Sequence, residues 1–302
     1  CPVDKDPVLF DFFVDTPPPQ PNKVLDFFSV SVDFGPSQQE FHIGQGSAAV
    51  PGNTAGLLRV HDRLGKIPLK RVLEPAIQIA RKGVILNSAQ GYLFKILEPI
   101  LTHTGSGKKL FAPKGNILKE GDCFTNSAFS NFLEELIIQG SNFFYKGDGA
   151  KLILDKLAPN GLLTATSLSD YRVVERIPLK TTFNGKTVYI NPTPSIGGTL
   201  ITFALQLLEK AQTALGEEMI DLIHAMQLTT AARRAASTDS DNNHEILKIL
   251  DENTFKSYMA QYLDLQSLNI DVKDPPSRGA TTQVSIIDKA GNAASVTTTN
   301  GE

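Results

Sequence analysis

Cysteine is scarce, charge of one sign is not in excess and long apolar runs are missing, and each shortage closes a class of function. Two cysteines in 302 residues, Cys1 and Cys123, make neither a dense disulfide framework nor a four-thiolate metal site, and they leave the redox compartment open. A net charge of −3, with lysine and arginine spread along the chain, provides no basic stripe for a nucleic-acid backbone. The best apolar run, residues 201–208, ends in Glu209-Lys210 and is about half of the roughly 18 residues a membrane span requires. The five histidines, His42, His61, His103, His224 and His244, show no paired spacing suited to a metal. Asp239, Asp241 and Asn243 alternate like the start of a calcium loop, but the glycine and distal glutamate of such a loop are absent. Neither a metal nor a cofactor is expected.

What remains is ordinary globular composition, 41% hydrophobic and 20% charged, in a length that suits one large domain or two smaller ones. The chain opens on Cys1-Pro2-Val3-Asp4 without an initiator methionine or signal pattern, and it stops just after a strand-like run. Both ends are therefore expected to be cut, with further chain downstream.

Residues 8–14 and 23–32 are Phe- and Val-rich runs around Thr16-Pro17-Pro18-Pro19-Gln20-Pro21. Proline lacks the N–H that a ladder needs, so the pattern predicts strand, rigid loop, strand. Apolar spacing predicts helices over 54–63, 73–82 with a stop at Gly83, 88–102, 125–139 and 149–157. Thr164 caps a short helix ending near Tyr171, and 172–183 and 186–190 read as strands before Asn191-Pro192-Thr193-Pro194. Ser195-Ile196-Gly197-Gly198 opens an apolar helix through Leu208, residues 219–236 read as another, and 237–243 as an exposed loop. Gly197-Gly198 lacks the lysine of a P-loop and the third glycine of a dinucleotide fingerprint, which leaves close backbone packing as the better reading.

The last segment carries the chemistry. Small, flexible Ser277-Arg278-Gly279-Ala280 precedes two β-prone runs, 281–287 and 293–299, separated by the turn cluster Asp288-Lys289-Ala290-Gly291-Asn292. If residues 288–292 form the loop, Ile287 faces Ala293, and counting back sets Thr281 opposite Thr299; a loop one residue shorter would pair it with Asn300.

Six segments in order resemble the γ-glutamyltransferase family of N-terminal nucleophile hydrolases. They are Val50-Pro51-Gly52-Asn53-Thr54-Ala55-Gly56, Glu74-Pro75-Ala76, Phe144-Tyr145-Lys146-Gly147, Gly161-Leu162-Leu163-Thr164 leading to Asp170-Tyr171, Pro194-Ser195-Ile196-Gly197-Gly198, and Thr281-Thr282-Gln283-Val284-Ser285. The resemblance implies an α+β fold, the four-layer αββα sandwich, here incomplete. It also implies self-cleavage between Ala280 and Thr281 into a large-subunit portion, 1–280, and the beginning of a small subunit, 281–302. A threonine hydroxyl is a poor nucleophile at neutral pH, and the cut would supply its base as the new α-amine, whose pKa is about 7.7–8.0. By the same resemblance Thr299 orients the Thr281 hydroxyl, Phe13, Thr297 and Asn300 stand at the substrate, and the reaction is acyl transfer from a γ-glutamyl amide such as glutathione. The partners implied are that amide or peptide substrate and the remainder of the small subunit. A periplasmic or extracellular compartment would suit the family, without excluding the cytoplasm.

Two departures stand against the pattern. The family carries an arginine in the segment aligned with Asp11-Phe12-Phe13-Val14, where it grips the substrate α-carboxylate; Phe13 cannot make that bidentate contact. Gln283 stands where the family has a histidine, keeping hydrogen-bonding capacity but not titration, with an effect expected on local packing. The rivals are a related amidohydrolase or acylase with a non-glutamyl substrate, and a catalytically silent scaffold.

Overall fold

The computed structural model describes residues 1, 3–35, 38–211, 218–237, 245–263 and 281–299. In chain order the first half forms β1 (Leu9–Asp11), β2 (Phe28–Asp33), β3 (Gln38–Ile43), α1 (Asn53–Leu64), α2 (Leu69–Lys82), β4 (Val84–Ile85), α3 (Ser88–Ile96), α4 (Glu98–Leu101), α5 (Gly105–Phe111), β5 (Cys123–Phe124) and α6 (Ser127–Gln139). There follow α7 (Ser141–Tyr145), α8 (Asp148–Leu157), α9 (Ala165–Ser169), β6 (Val174–Arg176), β7 (Leu179–Phe183), β8 (Lys186–Ile190), α10 (Ile196–Ala211), α11 (Glu218–Ser237), α12 (Glu252–Leu263), β9 (Thr281–Ile287) and β10 (Ala293–Thr299). The fold is α+β, its described strands pairing as ladders β1/β6, β2/β3, β4/β5, β7/β8 and β9/β10. Among the described residues no helix is long and apolar enough to cross a membrane.

Two compact units divide the chain. One comprises Cys1–Leu9, Glu175–Asp274 and Ser285–Ser295. Its hairpin β7/β8 turns on Asn184-Gly185, both at positive φ (51° and 70°), the conformation that matches strand twist in a two-residue loop. Gly198 at the start of α10 lets that helix come down on the hairpin's exit, since a Cβ there would lie 1.8 Å from the Asn191 carbonyl oxygen. Phe203, Leu207 and Ala211 recur every fourth residue of α10 and face Ala225, Leu228 and Ala232 of α11, with Phe255 and Tyr262 of α12 closing the core. Each large apolar side chain so buried contributes about 1.5–3 kcal/mol.

The other unit comprises Phe10–Val174, Pro275–Val284 and Val296–Glu302. Side-chain caps start its helices where the sequence has Asn or Thr: Asn87 and Gln90 form a capping box on α3, Asn126 accepts from the Phe129 N–H at α6, and Thr164 pairs with Ser167 at α9. Its core gathers Val50, Tyr145, Ala150, Leu163, Leu168 and Tyr171, with a second cluster of Ile77, Leu133 and Leu136 where α2 meets α6.

Two predicted elements are corrected. The single helix over 88–102 is broken at Leu97 into α3 and α4, because Pro99 has no N–H to continue the ladder and sits instead in the first turn of a new helix. The strand run 172–183 is split into β6 and β7 at Ile177-Pro178 for the same reason. The loop over 237–243 and its alternating acidic residues lie outside the described residues, apart from Ser237 at the end of α11.

Candidate active site

The hairpin of β9 and β10 is fixed from its turn outward. The Asp288 carboxylate accepts from the Ala290 N–H (2.9 Å), the Asn292 N–H (2.8 Å) and the Asn292 side-chain amide (2.8 Å). Gly291, at φ 87°, supplies the left-handed step. Donation from Asn292, first by its side chain and then by its backbone, holds the Asp288 carboxyl below its usual range. Beyond the turn, Ser285 and Ser295 hydroxyls meet across the strands at 3.0 Å, and the Thr297 hydroxyl donates to the Gln283 side-chain oxygen. With Asp288 N–H bonded to Asn292 C=O, these pairs share one register. Carried two residues further, it sets Thr281 opposite Thr299, the arrangement the sequence spacing predicts.

Thr281, Gln283, Thr297 and Thr299 share one face of the ladder, and all four are exposed. On the opposite face Val296 and Thr298 are half-buried. Ala280 and Asn300 lie outside the described residues. Gln283 thus does what its chemistry allows in place of an imidazole, accepting a hydrogen bond from its cross-strand neighbour.

Phe13 presents its ring to solvent, 71% exposed, while its carbonyl accepts from the Tyr171 hydroxyl at 2.7 Å. The preceding ring, Phe12, covers Gly56, and its carbonyl lies so close to Gly52 that a Cβ on that glycine would fall 1.9 Å away. Asp15 and Val50 exchange backbone hydrogen bonds of 3.1 and 2.8 Å, which pins the Phe13 segment to the loop before α1. Gly52 is the N-cap of α1 and has no side chain to cap with. The Tyr145 hydroxyl takes that role from α7, accepting from the first-turn Ala55 N–H (3.2 Å) and donating to Pro51 C=O (2.5 Å). Between those contacts, the Asn53 side-chain amide donates to the Thr298 hydroxyl at 2.8 Å. The Phe13 segment and β10, the strand paired with the one that carries Thr281, are therefore attached to the same stretch, residues 50–55.

Burial pushes the Tyr145 phenol up to about 12, the Ala55 N–H pulling weakly the other way. Tyr171 is raised as well, by burial first and then by the neighbouring Tyr145, Asp11 and Asp15. Both hydroxyls stay protonated donors at any physiological pH. Asn53, Tyr145 and Tyr171 all fall within the family-like motifs, but nothing local in the sequence gives them a role. Among the described residues no group of three or more His, Cys, Asp or Glu is placed to hold a metal.

The chain matches the family described as gamma-glutamyltranspeptidase over residues 22–302. It is 30% identical over 273 residues to the glutathione hydrolase proenzyme of Escherichia coli K12, covering 85% of this chain and 46% of that protein. It is 26% identical over 273 residues to the acylase ACY 1 proenzyme of Pseudomonas sp. SE83, covering 85% of this chain and 48% of that one. The chain thus spans about half the length of the relatives it matches. The crystal structure of Helicobacter pylori gamma-glutamyltranspeptidase superposes with a TM-score of 0.69 at 22% identity, over 89% of this chain and 77% of that one, a likeness of fold.

Proposed function

The chain belongs to the gamma-glutamyltranspeptidase family, and on that premise we propose that it is part of a self-processing amide hydrolase or acyltransferase whose nucleophile is Thr281. The observation that carries this reading is the hairpin: Thr281 opens β9, exposed, in a register that sets it opposite Thr299. In the first reaction the Thr281 hydroxyl attacks the Ala280 carbonyl, the peptide bond shifts to an ester, and water hydrolyses that ester. The products are the carboxylate of Ala280 and a free α-amine on Thr281. That amine then takes the hydroxyl proton as Thr281 attacks an amide substrate and returns it to the substrate nitrogen as the C–N bond breaks; the amine product leaves, and the acyl-enzyme ester passes its acyl group to water or to a second amine, restoring the hydroxyl.

In this reading the covalent division is 1–280 and 281–302, the chain contributes to a four-layer αββα sandwich, and the remainder of the small subunit is its partner. Thr299 orients the nucleophile, and Phe13, Thr297 and Asn300 face the substrate. The first substrate class is a γ-glutamyl amide such as glutathione, the reading favoured by the glutathione hydrolase relatives. A second reading, an acylase acting on an apolar acyl group, is favoured by the exposed Phe13 ring, which offers apolar surface rather than a cation.

Mass spectrometry of the complete gene product tests the shared step. The wild type is expected to yield a new N-terminus at Thr281 and Thr281→Ala to remain whole; an uncut wild type, or a mutant cut equally well, overturns it. Relative kcat/KM on γ-glutamyl and phenylacetyl anilides then separates the two substrate classes.

A further inference from the structure

Thr298 precedes Thr299 on β10, and because side chains alternate along a strand its hydroxyl lies on the face away from Thr281 and Thr299. There it meets Asn53, the first residue of α1, with 2.8 Å between Asn53 Nδ2 and Thr298 Oγ1. Asn53 is itself well placed to act as a fixed point. Two residues before it, Pro51 C=O is held by the Tyr145 hydroxyl; two residues after it, the Ala55 N–H is bonded to the same oxygen. A two-stranded hairpin is only marginally stable by itself, and every residue of β9 is exposed. The far end of the hairpin therefore depends on contacts made from the back of β10.

We propose that Asn53, acting through the Thr298 hydroxyl, is a positioning residue that sets the placement of the Thr281–Thr299 pair. The proposal rests on the reading of Thr281 as nucleophile. The hydrogen bond is exposed to water and adds little to stability, but its effect on geometry is amplified in the rate, since misplacing reacting groups by about 1 Å costs roughly a hundredfold. Neither residue touches the reacting atoms.

The test uses the complete gene product and measures both the rate of self-cleavage and the steady-state kinetics. Asn53→Ala and Thr298→Val are each expected to slow self-cleavage and lower kcat by about fivefold to a hundredfold, with KM changed less than about twofold. Thr298→Ser, which keeps the hydroxyl, is expected to retain the wild-type rate, and the double variant to be no slower than the slower single one. Losses that multiply in the double variant, or a slow Thr298→Ser, would overturn the proposal. So would a cut wild type whose Asn53→Ala form is cut at the same rate, while the nucleophile reading stands. An uncut wild type overturns both.

Discussion

Tyr145 and Tyr171 stack with ring centroids 5.6 Å apart and planes 13° from parallel, and their hydroxyls hold different backbone segments, Pro51 to Ala55 for one and Phe13 for the other. One buried aromatic pair thus references both the Phe13 backbone and the start of α1 to the core of its unit. Because the hydroxyls act as protonated donors, the arrangement has a definite limit at high pH.

The folded-state pKa of Tyr145, about 12, lies above its ordinary 10.0. Below pH 10 the phenol is protonated in both states and its contribution to stability is complete. Between 10 and 12 the unfolded chain releases a proton that the folded one keeps, so stability falls as pH rises. Urea midpoints at pH 9, 10.5 and 11.5 are expected to fall for the wild type and to fall less for Tyr145→Phe; equal slopes would refute the assignment.

Gly197 and Gly198 are neighbours with opposite requirements. A Cβ on Gly197 meets nothing within 4 Å, whereas one on Gly198 would strike the Asn191 carbonyl oxygen at 1.8 Å. Gly197→Ala is expected to raise stability by about 0.4–1 kcal/mol, and Gly198→Ala to lower it by about 1–3 kcal/mol. Thermal melts of the two variants decide the matter, and a neutral Gly198→Ala would mean that α10 does not need this close approach.

In the other unit-specific core, Tyr262 donates to the buried Asp221 carboxylate at 2.8 Å. Tyr262→Phe keeps the packed ring but strands an acceptor, and a loss of about 1–3 kcal/mol is expected. The readout is a lower denaturant midpoint with an unchanged m-value; a midpoint within error of the wild type would show that water replaces the phenol.

Substrate choice should respond to residue 13. Its backbone is fixed by Tyr171 and its side chain is free to project, so Phe13→Arg changes chemistry without disturbing the fold. A charge-assisted hydrogen bond is worth about 1.5–3 kcal/mol, and kcat/KM on a γ-glutamyl anilide is expected to rise by about tenfold to a hundredfold. Tight saturation of the wild type by micromolar γ-glutamyl substrate would show that another group already holds the carboxylate.

The hairpin was legible in the sequence to the residue, because a glycine-containing turn between two β-branched runs specifies both length and register locally. The starts of α3, α6 and α9, capped by Asn87, Asn126 and Thr164, were legible from local sequence too, whereas α5, capped by Thr104, was missed because its Gly105-Ser106-Gly107 start reads as a loop. The polar run Gln38-Gln39-Glu40 concealed β3, which exists because Phe28–Asp33 needs a partner. Periodicity overran Pro99 and Pro178, where the missing N–H decides. Asn53 and Thr298 are 245 residues apart, and no local pattern reports a contact made only by the tertiary fold. Tyr145 and Tyr171 were visible as motif members, but their roles depend on which carbonyls their hydroxyls reach.

The hairpin that presents Thr281 also carries Val284, Ile286 and Ile287 at 50, 62 and 75% exposure, with β10 as the only ladder partner of β9 among the described residues. An edge strand with exposed apolar side chains is a template for intermolecular strand addition. Val284 and Ile286 lie on one face and Ile287 on the other, so turning the strand over hides neither. Among the described residues, the strand from which catalysis is proposed to start is thus also the strand from which aggregation would grow. A lysine at Ile286, across the sheet from the Thr281 face, is the substitution that would guard solubility without entering the chemistry.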